Sequence, residues 1–595
     1  MDRQSTIGMI LIFILLVVWM MWNSPTPQQH KEAPSQTQAT ADTVVKAASP
    51  KPHVQEQKAE PKKENDYGKF FANRSTGAEK IITIETNEIR AEVTSRGGKI
   101  RRWQLKRYSM WNGDPVQLVN YNSSGDFNVL FTTKDGKVIN TSNLYFDTDV
   151  VNPHIVVNDN FEFEISFRLP ASNGGMLIKT MKFKNGTYGC DVTISFVQMD
   201  EVIANYQYEV TWDNGIWYCE QNSVDEASFG AAFAYAGDEL TEVDAAKPGV
   251  KVQKEMGGNV DWVAMRNKYF AVAIIPISSQ TDGAYLEGIR TPMPNQGVFE
   301  TYSVSVKMPF KGQPQEETTF KLFAGPLDHG VLTSYEKNLQ QLMKLGWAWL
   351  IRPISEYIML PLFKLIHTVI PNWGLVIIVF SIIIKIALHP LSKSSMESMK
   401  KMQKLQPMMK EIQEKYKDDP QRMNQAVLNL YKEYGVNPAG GCLPLLIQLP
   451  IMYALYAVFR GAIELRQAKF VWWIKDLSVP DVIARLPFRI PLIGIQDISG
   501  IALLMGISMF IQQKMTITDP RQKSMVWLMP ILMTILFNGF PSGLNLYYAV
   551  FNILAIIQQI FVNKKHDDQP LRKVEPKKKK KQGILRNVPT IPKYK

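Results

Sequence analysis

The stretch Leu375-Val-Ile-Ile-Val-Phe-Ser-Ile-Ile-Ile-Lys-Ile-Ala-Leu-His-Pro-Leu391 is apolar apart from one charged side chain, that of Lys385. A run of this length is typical of a helix that crosses a membrane. A charge inside such a helix costs at least ~2.5–3.5 kcal/mol unless it meets water or a partner. The other apolar runs carry no acidic residue at comparable depth, so we expect Lys385 to face a water-filled cavity that opens toward the cytoplasm. The alternative is that its long stem reaches the membrane interface near Leu391.

Further apolar runs before and after this stretch predict an α-helical membrane bundle of six transmembrane helices. The first run begins close to the N-terminus and is interpreted as an uncleaved anchor, because Trp19-Met-Met-Trp-Asn23 offers no small residues to a signal peptidase. Two runs are short, which bilayer thinning or packing inside the bundle accommodates. The predicted spans are Thr6–Trp22, Trp373–Leu391, Leu443–Ile463, Ile498–Ile511, Met525–Phe540 and Gly543–Val562.

Basic residues set the predicted orientation of the bundle. Nine Lys/Arg lie in residues 392–441, three lie in residues 514–524, and twelve lie in the tail 563–595. All three segments are on one side in a six-span arrangement, and positive loops face the cytoplasm. We therefore expect both termini to be cytoplasmic in a bacterial inner membrane, with the large middle region in the periplasm.

The middle region, residues 78–330, alternates apolar and polar side chains. In the run from Phe161 to Leu169, every second residue is apolar, which is typical of half-buried antiparallel strands. The chain is thus expected to carry a large periplasmic antiparallel β-sandwich. A disulfide between Cys190 and Cys219 is compatible with a periplasmic location, although spacing alone does not establish it.

Residues 331–371 connect the β-region to the spans. Leu339 to Leu365 is amphipathic, is interrupted by Pro353, and carries Trp347 and Trp349. Aromatic residues of this kind suit the headgroup level, so we predict a helix that lies along the membrane surface. The alternative is a connecting helix that packs on the β-sandwich.

Residues 392–441 carry apolar side chains at helical spacing on both sides of a turn at Asp418-Asp-Pro420, which predicts a cytoplasmic helical hairpin. Such stripes are usually the mutual core of two helices. The abundance of methionine also suits contact with varied apolar clients. The residues assigned to client contact are Met399, Met402, Met408 and Met409.

Other residue patterns bear on the chemistry of the protein. Ser381 lies one helical turn before Lys385, a spacing that also permits a Ser/Lys hydrolytic dyad, but nothing identifies an oxyanion hole. No phosphate-binding Gly-rich loop is present, and the seven histidines are scattered. We expect no catalytic residue, no metal, no cofactor and no small-molecule substrate. Polar residues on other spans fit the same groove or act as hydrogen-bonding links between helices. They are Gln448, Asn538 and Asn545, which are assigned to the groove, and Asn552, Gln558 and Gln559.

Several longer motifs in this chain resemble the YidC/Oxa1/Alb3 family of membrane protein insertases, and within it the Gram-negative bacterial branch. The resemblance covers nearly the whole chain apart from the linker and tail. The motifs are Asn372-Trp-Gly374, Asn437-Pro-Ala-Gly-Gly-Cys-Leu-Pro-Leu-Leu-Ile-Gln448, Glu464-Leu-Arg466 and Phe540-Pro-Ser-Gly-Leu-Asn-Leu-Tyr-Tyr548 near the spans, and Ser95-Arg-Gly-Gly98 and Asp261-Trp-Val-Ala264 in the middle region.

The resemblance implies a positively charged groove that is open to the cytoplasm and to lipid but closed to the periplasm. Lys385 stands where the family usually has arginine, so the charge is kept and the bidentate fork is lost. Ser381 matches the family's small hydroxyl position, and Tyr548, with its neighbour Tyr547 in the same motif, is assigned to the groove lining. The stretch Ile483–Ser499 departs from the family pattern as an insertion, and no role is assigned to it.

The expected function is that of an insertase and folding chaperone for nascent membrane proteins, acting alone or with the Sec translocon, which the resemblance adds as a partner. The basic run Lys577, Lys578, Lys579, Lys580 and Lys581 suits a ribosome or membrane lipids. A secondary transporter is the alternative from another class, but no internal repeat is found. The predicted domains are an anchor (1–22), a disordered periplasmic linker (23–77), the β-sandwich (78–330), the interfacial region (331–371), the membrane core (372–562) with its hairpin (392–441), and a basic cytoplasmic tail (563–595).

Overall fold

The computed structural model describes residues 64–159, 161–436, 443–490, 495–517, 523–566 and 573. The predicted anchor 1–22, most of the predicted linker and the basic run Lys577–Lys581 lie outside these ranges. The chain divides into two compact units at about Lys344, a β unit before it and a helical unit after it.

The β unit contains three sheets. Their strand orders are β4-β3-β2-β1-β7, β13-β12-β15-β16-β19-β10-β9-β8 and β14-β17-β18-β11-β5-β6. Nearly all neighbours pair antiparallel, as predicted, and β1 with β7 is a parallel exception. The strands are β1 Ile81–Glu85, β2 Ile89–Thr94, β3 Lys99–Ser109, β4 Pro115–Gln117, β5 Asn128–Thr133, β6 Val138–Asn140, β7 His154–Val156, β8 Phe163–Pro170, β9 Met176–Phe183, β10 Gly189–Val197, β11 Ile203–Trp212, β12 Ala231–Ala236, β13 Glu239–Val243, β14 Val252–Gly257, β15 Trp262–Arg266, β16 Phe270–Pro276, β17 Gly283–Pro292, β18 Val298–Pro309 and β19 Gln315–Pro326.

The predicted alternation forms a hairpin at one edge of the eight-stranded sheet. Strand β8 pairs with β9, and Ile165, Phe167 and Leu169 are buried on one face. Phe161, the first residue of the predicted alternating run, lies before the strand and is exposed. The alternation therefore predicted the buried face, and it placed the start of the strand two residues too early.

Side chains join the three sheets into one core. The indole Nε1 of Trp103 on β3 donates to the carbonyl oxygen of Ala324 on β19, at 2.8 Å. Phe196 on β10 packs edge-on against Tyr208 on β11, with ring centroids 4.8 Å apart. The predicted sandwich is thus two large sheets with a third sheet joined to them.

The β unit is longer than the sequence predicted at both ends. Residues 64–74 form helical turns that bury Phe70 and Phe71, whereas the sequence analysis placed the linker up to residue 77. At the other end, Leu339 and Leu342 are buried in a short 3-10 turn, and Arg266 donates to the carbonyl oxygen of Leu342. The short α-helices of this unit are α1 Gly68–Phe71, α2 Ser223–Ala227 and α3 His329–Ser334.

The two cysteines of the β unit are not joined by a disulfide. Cys190 lies on β10 and Cys219 lies in the loop after β11, and both thiols are buried. The possibility that the spacing left open is therefore not realised in this structure.

The helical unit contains the predicted membrane core. Helix α13 packs against α6, α7 and α11. Gly506 on α11 permits a close approach to α12, because a Cβ there would collide with the hydroxyl of Thr534. The helices are α4 Ile351–Pro353, α5 Leu360–Val369, α6 Trp373–Ala387, α7 His389–Lys404, α8 Gln406–Lys415, α9 Pro420–Glu433, α10 Leu443–Gly461, α11 Gly500–Thr516, α12 Lys523–Phe537 and α13 Ser542–His566, with a π-helical segment Ile354–Met359 between α4 and α5 and a short hairpin of β20 Val482–Arg485 and β21 Asp497–Ser499.

The predicted surface helix is displaced along the chain. It was expected over Leu339–Leu365 with a break at Pro353, whereas the helical segment runs from Ile351 to Val369. The discrepancy has a physical reason, since proline fits the first turn of a helix and Pro353 lies close to the start of this one. Trp347 and Trp349 precede the helix and are well exposed.

The number of membrane spans is not settled by helix length. Among the described residues, one helix, Ser542–Lys564, is long and apolar enough to cross a membrane. A second candidate is the bent pair Trp373–Ala387 and Ser392–Lys404, and Ser524–Phe537 is a shorter apolar helix. The six-span arrangement therefore stays a prediction.

Candidate functional site

Lys385 lies in the last turn of α6, a helix that is otherwise apolar except for Ser381. The helix begins with a cap, because the side chain of Asn372 accepts from the backbone N–H of Leu375. It ends at Leu388, two residues before Pro390, which cannot continue the ladder of hydrogen bonds. Lys385 is buried, with only 8% of its surface exposed.

A cavity of about 420 Å³ lies beside Lys385, between the α6–α7 segment and α13. Four of its lining residues follow one another at four-residue steps: Lys385, His389, Lys393 and Glu397. The axes of Trp373–Ala387 and Ser392–Lys404 differ by 66°, and the bend leaves all four residues on the same cavity. The opposite wall comes from α13 and is apolar except for Gln558.

The ammonium group of Lys385 lies over the face of an aromatic ring. Its Nζ lies 4.2 Å from the centroid of the Phe551 ring. Within the described ranges it makes no ion pair or hydrogen bond with protein. A cavity of this volume has room for on the order of ten water molecules, which would satisfy such a cation. The wet environment of Lys385 stays a prediction, and a cavity of this size is compatible with it.

Gln558 links the two walls of the cavity. Its Nε2 lies 3.2 Å from Nδ1 of His389, a hydrogen-bonding distance. Its Oε1 is buried and finds no partner among the described residues. An orphaned amide oxygen beside a cavity is a further group that water or a polar ligand would satisfy.

Ser381 does not act together with Lys385. Its hydroxyl is fully buried and donates to the carbonyl oxygen of Ile377 at 2.7 Å, four residues earlier on the same helix. Serine often makes this bond inside apolar helices. The hydroxyl therefore caps its own backbone, and the geometry gives no support to a Ser/Lys dyad.

The aromatic pair of α13 lies deeper in the bundle than the cavity. Tyr547 is buried and approaches Phe380 of α6 and Phe551, with centroid distances of 6.2 and 5.7 Å. Tyr548 packs edge-on against Phe537, and its hydroxyl is buried without a partner in the described part of the chain. Phe551 connects Tyr547 to Lys385, so the pair is coupled to the cation through one ring.

The two asparagines assigned to the groove lie at a different place. Asn538 accepts from the N–H of Ser499 and donates to the carbonyl oxygen of Asp497, at 2.9 and 2.7 Å. Asn545 donates to the carbonyl oxygen of Phe537 at 3.0 Å and is fully buried. Both close the turns between helices, at the opposite end of α13 from the cavity. Gln448 is half-buried on α10, and the structure brings it to none of these residues.

The predicted hairpin residues form helices α7 to α9, and α8 packs against α9 around a small core of Leu405, Met409, Leu430 and Val436. Met402 packs against this core, and the sulfur of Met409 accepts from the hydroxyl of Tyr431. Met399 is half-buried, and Met408 is exposed. The stripe is therefore mainly mutual core, and Met408 is the most accessible of the four methionines.

Beyond the end of α13 at His566, the basic tail is described at one position only. Lys573 forms an ion pair with Glu433 at 2.5 Å, at the end of α9, and lies over the ring of Tyr434. The run Lys577–Lys581 lies outside the described residues, so its assignment to a ribosome or lipid stays a prediction.

Three polar residues line the cavity beside Lys385: His389 and Lys393, which the sequence analysis did not assign to it, and Gln558, one of the polar span residues that it considered for the groove. A signal for two of them was present, because they continue the four-residue spacing that begins at Lys385. No sequence pattern indicates Phe551, since an aromatic residue in an apolar span is usually part of the packing between helices.

Two family models match this chain. A model described as "60Kd inner membrane protein" covers residues 365–569, and one described as "YidC periplasmic domain" covers residues 81–357. Together they span both units of the structure.

Curated relatives match along the whole length. A protein named "Membrane protein insertase YidC" from Prosthecochloris aestuarii is 38% identical over 581 residues, 96% of each chain. The protein of the same name from Chlorobaculum parvum is 37% identical over 576 residues, again 96% of each chain. The one from Chloroherpeton thalassium is 35% identical and covers 98% of this chain and all of the other. The activity in these names is not an enzymatic one.

Proposed function

The chain belongs to the YidC family of membrane protein insertases, and we propose that it moves nascent transmembrane segments through a hydrated, positively charged groove centred on Lys385. The family is one of inner-membrane proteins with a periplasmic domain, and nascent membrane proteins are its clients. The proposal concerns how the insertion is carried out.

The observation that carries the proposal is the position of Lys385 on the cavity wall without an acidic partner among the described residues. A buried cation without an acid is costly, and it persists where water or a transient anion stabilises it. A client segment with an acidic tail provides that anion. The carboxylate would be drawn toward Lys385, which shortens the polar path that the tail must cross.

Lys393 extends the positive surface from Lys385 toward the cytoplasm, and His389 lies between the two lysines on the same cavity wall. Steps of four residues along a straight helix correspond to about 6 Å each, so the three residues, which follow a bent segment, span at most about 12 Å. We expect an acidic tail to meet Lys393 first and Lys385 last. Glu397, at the outermost step, would orient a mixed-charge tail rather than bind it.

The hydrophobic part of the client follows a different route. Met408 and its neighbours on α7 to α9 would receive the apolar segment on the cytoplasmic side, and the segment would then slide into lipid along α10 and α12. Burial of its own apolar surface drives this step, so no nucleotide is needed.

The wider arrangement is proposed on the distribution of charge. Six spans with both termini in the cytoplasm place all three basic segments on one side of the membrane. The Sec translocon is proposed as a partner, and the run Lys577–Lys581 is proposed to contact a ribosome or anionic lipids, with a contact that weakens as salt rises.

The test is depletion of the protein from its host, followed by measurement of the insertion of a small single-span protein with an acidic outer tail. Rescue by the wild type and by Lys385→Arg is expected, whereas Lys385→Glu should fail because it repels the tail. Ser381→Ala should rescue, since that hydroxyl bonds only its own helix. Normal insertion without the protein would contradict the proposal. Failure of Ser381→Ala with success of Lys385→Glu would favour a Ser/Lys hydrolase.

A further inference from the structure

The inserted stretch Ile483–Ser499 forms a two-stranded hairpin. Val482 pairs with Ser499 and Arg485 pairs with Asp497, and the guanidinium group of Arg485 binds both oxygens of the Asp497 carboxylate. Backbone hydrogen bonds continue past the strands to Ile490, whose N–H donates to Ile495. The described residues of the insertion, 483–490 and 495–499, are therefore paired with one another over most of their length.

The base of the hairpin is fixed by Asp481. Its carboxylate is buried and accepts from the hydroxyl of Ser499, the N–H of Ile501 and the indole of Trp473, at 2.5, 3.0 and 2.8 Å. Asn538 adds two bonds to the same place, from the end of α12. The hairpin is thus held rigidly at the first turn of α11.

The body of the hairpin is uncovered in the described part of the chain. All four residues of β20 are exposed, on both faces of the strand, and Phe488 is 61% exposed. A two-stranded hairpin alone in water is marginally stable at best, and apolar side chains on both of its faces make it an aggregation hazard. Such an element needs an apolar environment around it.

We propose that this hairpin inserts into the headgroup region of the outer leaflet, as a lipid anchor for α11. The inference rests on the membrane placement of α11 under the proposed function. The apolar side of the hairpin is continuous with the exposed face of α11, because Ile483 lies against Gly500 and the exposed residues Leu503 and Ile507 follow on the helix.

Two further features favour lipid over a protein partner. Trp472 and Trp473 lie next to the base of the hairpin and are exposed, and tryptophan is enriched at membrane interfaces. Arg489 is adjacent to Phe488 and exposed, which places a cation beside an apolar anchor, as anionic headgroups require. A peptide-binding surface would not need both.

The anchor has a physical purpose in this chain. Helix α11 has 17 residues and is therefore about 25 Å long, shorter than the roughly 30 Å hydrocarbon core. A short span pulls the bilayer thinner around it or sinks on one side. An apolar hairpin fixed to its outer end holds that end at the interface, so the mismatch falls on the cytoplasmic side, where the cavity lies.

The test places the photoreactive amino acid benzoylphenylalanine at position 488 of the full chain, reconstituted in vesicles of phosphatidylethanolamine with a minority of phosphatidylglycerol. Val151, an apolar residue of the β unit that is 93% exposed, is the control position. After illumination, we expect phospholipid adducts by mass spectrometry at position 488, several-fold more than at position 151. Adducts to protein at position 488, or no adduct, would overturn the proposal.

A second variant tests the role of the charge. With Arg489→Gln, the share of phosphatidylglycerol among the adducts at position 488 should fall several-fold, toward its share in the vesicle. An unchanged share of phosphatidylglycerol would show that Arg489 does not contact anionic headgroups, and this part of the proposal would be wrong. Both measurements are made without a client, so a failed insertion assay with normal lipid adducts would contradict the proposed function and leave the anchor intact.

Discussion

Lys179 in the β unit and Lys385 in the helical unit are both buried, but their ammonium groups have different surroundings. The ammonium group of Lys179 donates to three backbone carbonyls, those of Gly97, Gly98 and Phe127, at 3.0, 3.2 and 2.9 Å. These acceptors match the three hydrogens of an ammonium group. Lys385 has the face of Phe551 and a cavity.

The difference separates a structural cation from a functional one. The carbonyls around Lys179 come from loops next to β3 and β5, so the side chain, which is on β9, joins its own sheet to the other two. All of its donors are used for this. Burial lowers the pKa of Lys179 well below its usual value, and the complete set of acceptors opposes that cost. Lys385 lacks such a set within the described ranges, so its interactions are available to a ligand.

The largest effect is expected from Lys179→Met. The substitution leaves three buried carbonyls without a donor, and each unsatisfied group costs about 1–3 kcal/mol. We expect the free energy of unfolding of the β unit to fall by about 4 kcal/mol, measured on the full chain by pulse proteolysis in urea. Lys182→Met, on the same strand but exposed and paired with Glu162, should change it by less than about 1 kcal/mol. Equal effects of the two substitutions would mean that the three hydrogen bonds to carbonyls do not contribute to the free energy of unfolding.

A pH experiment tests Asp126, a buried carboxyl group of the β unit that has fewer hydrogen-bond partners than it can bind. Asp126 is fully buried and accepts from the N–H of Asp213 and the amide of Asn214, but its Oδ2 has no partner among the described residues. Burial raises the pKa of this carboxyl to about 7, and Lys99 nearby opposes the shift. The folded protein therefore binds a proton that the unfolded chain has released, between its ordinary pKa of 3.8 and about pH 7.

Stability must then fall as pH rises through that window, because the native state binds more protons than the unfolded state. We expect a loss of about 2–4 kcal/mol between pH 4 and pH 7 relative to Asp126→Asn, which keeps the acceptor for both bonds and does not ionise. The measurement is the urea midpoint of the β unit against pH for both proteins. Parallel curves would show that Asp126 is ionised in the fold.

The helical unit should respond to loss of its cation with the opposite sign. Lys385→Leu removes a buried charge that has no acidic partner among the described residues. The thermal stability of the protein in detergent should therefore stay the same or rise. Insertion of the client with an acidic tail should fall about tenfold or more, the equivalent of about 1.4 kcal/mol. Lys385→Arg should preserve both properties. Destabilisation by Lys385→Leu would mean that Lys385 is a structural residue, as Lys179 is, and that its interactions are not available to a client.

The sequence predicted the regular parts of the molecule because their periodicity records burial directly. Alternation predicted β8 and its neighbours, and helical spacing predicted α8 and α9. The limits of the β unit were less well predicted. Phe71 and Leu342 are buried by contacts with segments distant in sequence, and no local sequence pattern indicates this. The third sheet of the β unit was missed for the same reason.

The site was predicted in part. A charge in an apolar run is evident from the sequence alone, so Lys385 could be proposed as a site residue, and the structure places it on a cavity wall. Asn538 and Asn545 have the same appearance in sequence as groove residues, but their amide nitrogens donate to backbone carbonyls, as only the fold reveals. The Oδ1 of Asn545 has no partner among the described residues. Lys179 shows the limit most clearly, because a lysine in an alternating strand reads as solvent-exposed, and only the carbonyls of other segments make it internal.

The smallest effect is expected from Phe551→Leu, and it tests how firmly Lys385 is held at rest. The contact between Nζ and the ring at 4.2 Å is a cation–π interaction worth about 0.5–1 kcal/mol. A client carboxylate that binds Lys385 competes with this contact, so its loss should favour the client. The client concentration for half-maximal insertion should therefore fall by about two- to fivefold, measured in vesicles with a client whose tail is acidic. A neutral-tailed client provides the control and should show no change. A rise in that concentration would mean that Phe551 positions Lys385 for the client, so that the ring belongs to the binding site and the cation is less free than its contacts indicate.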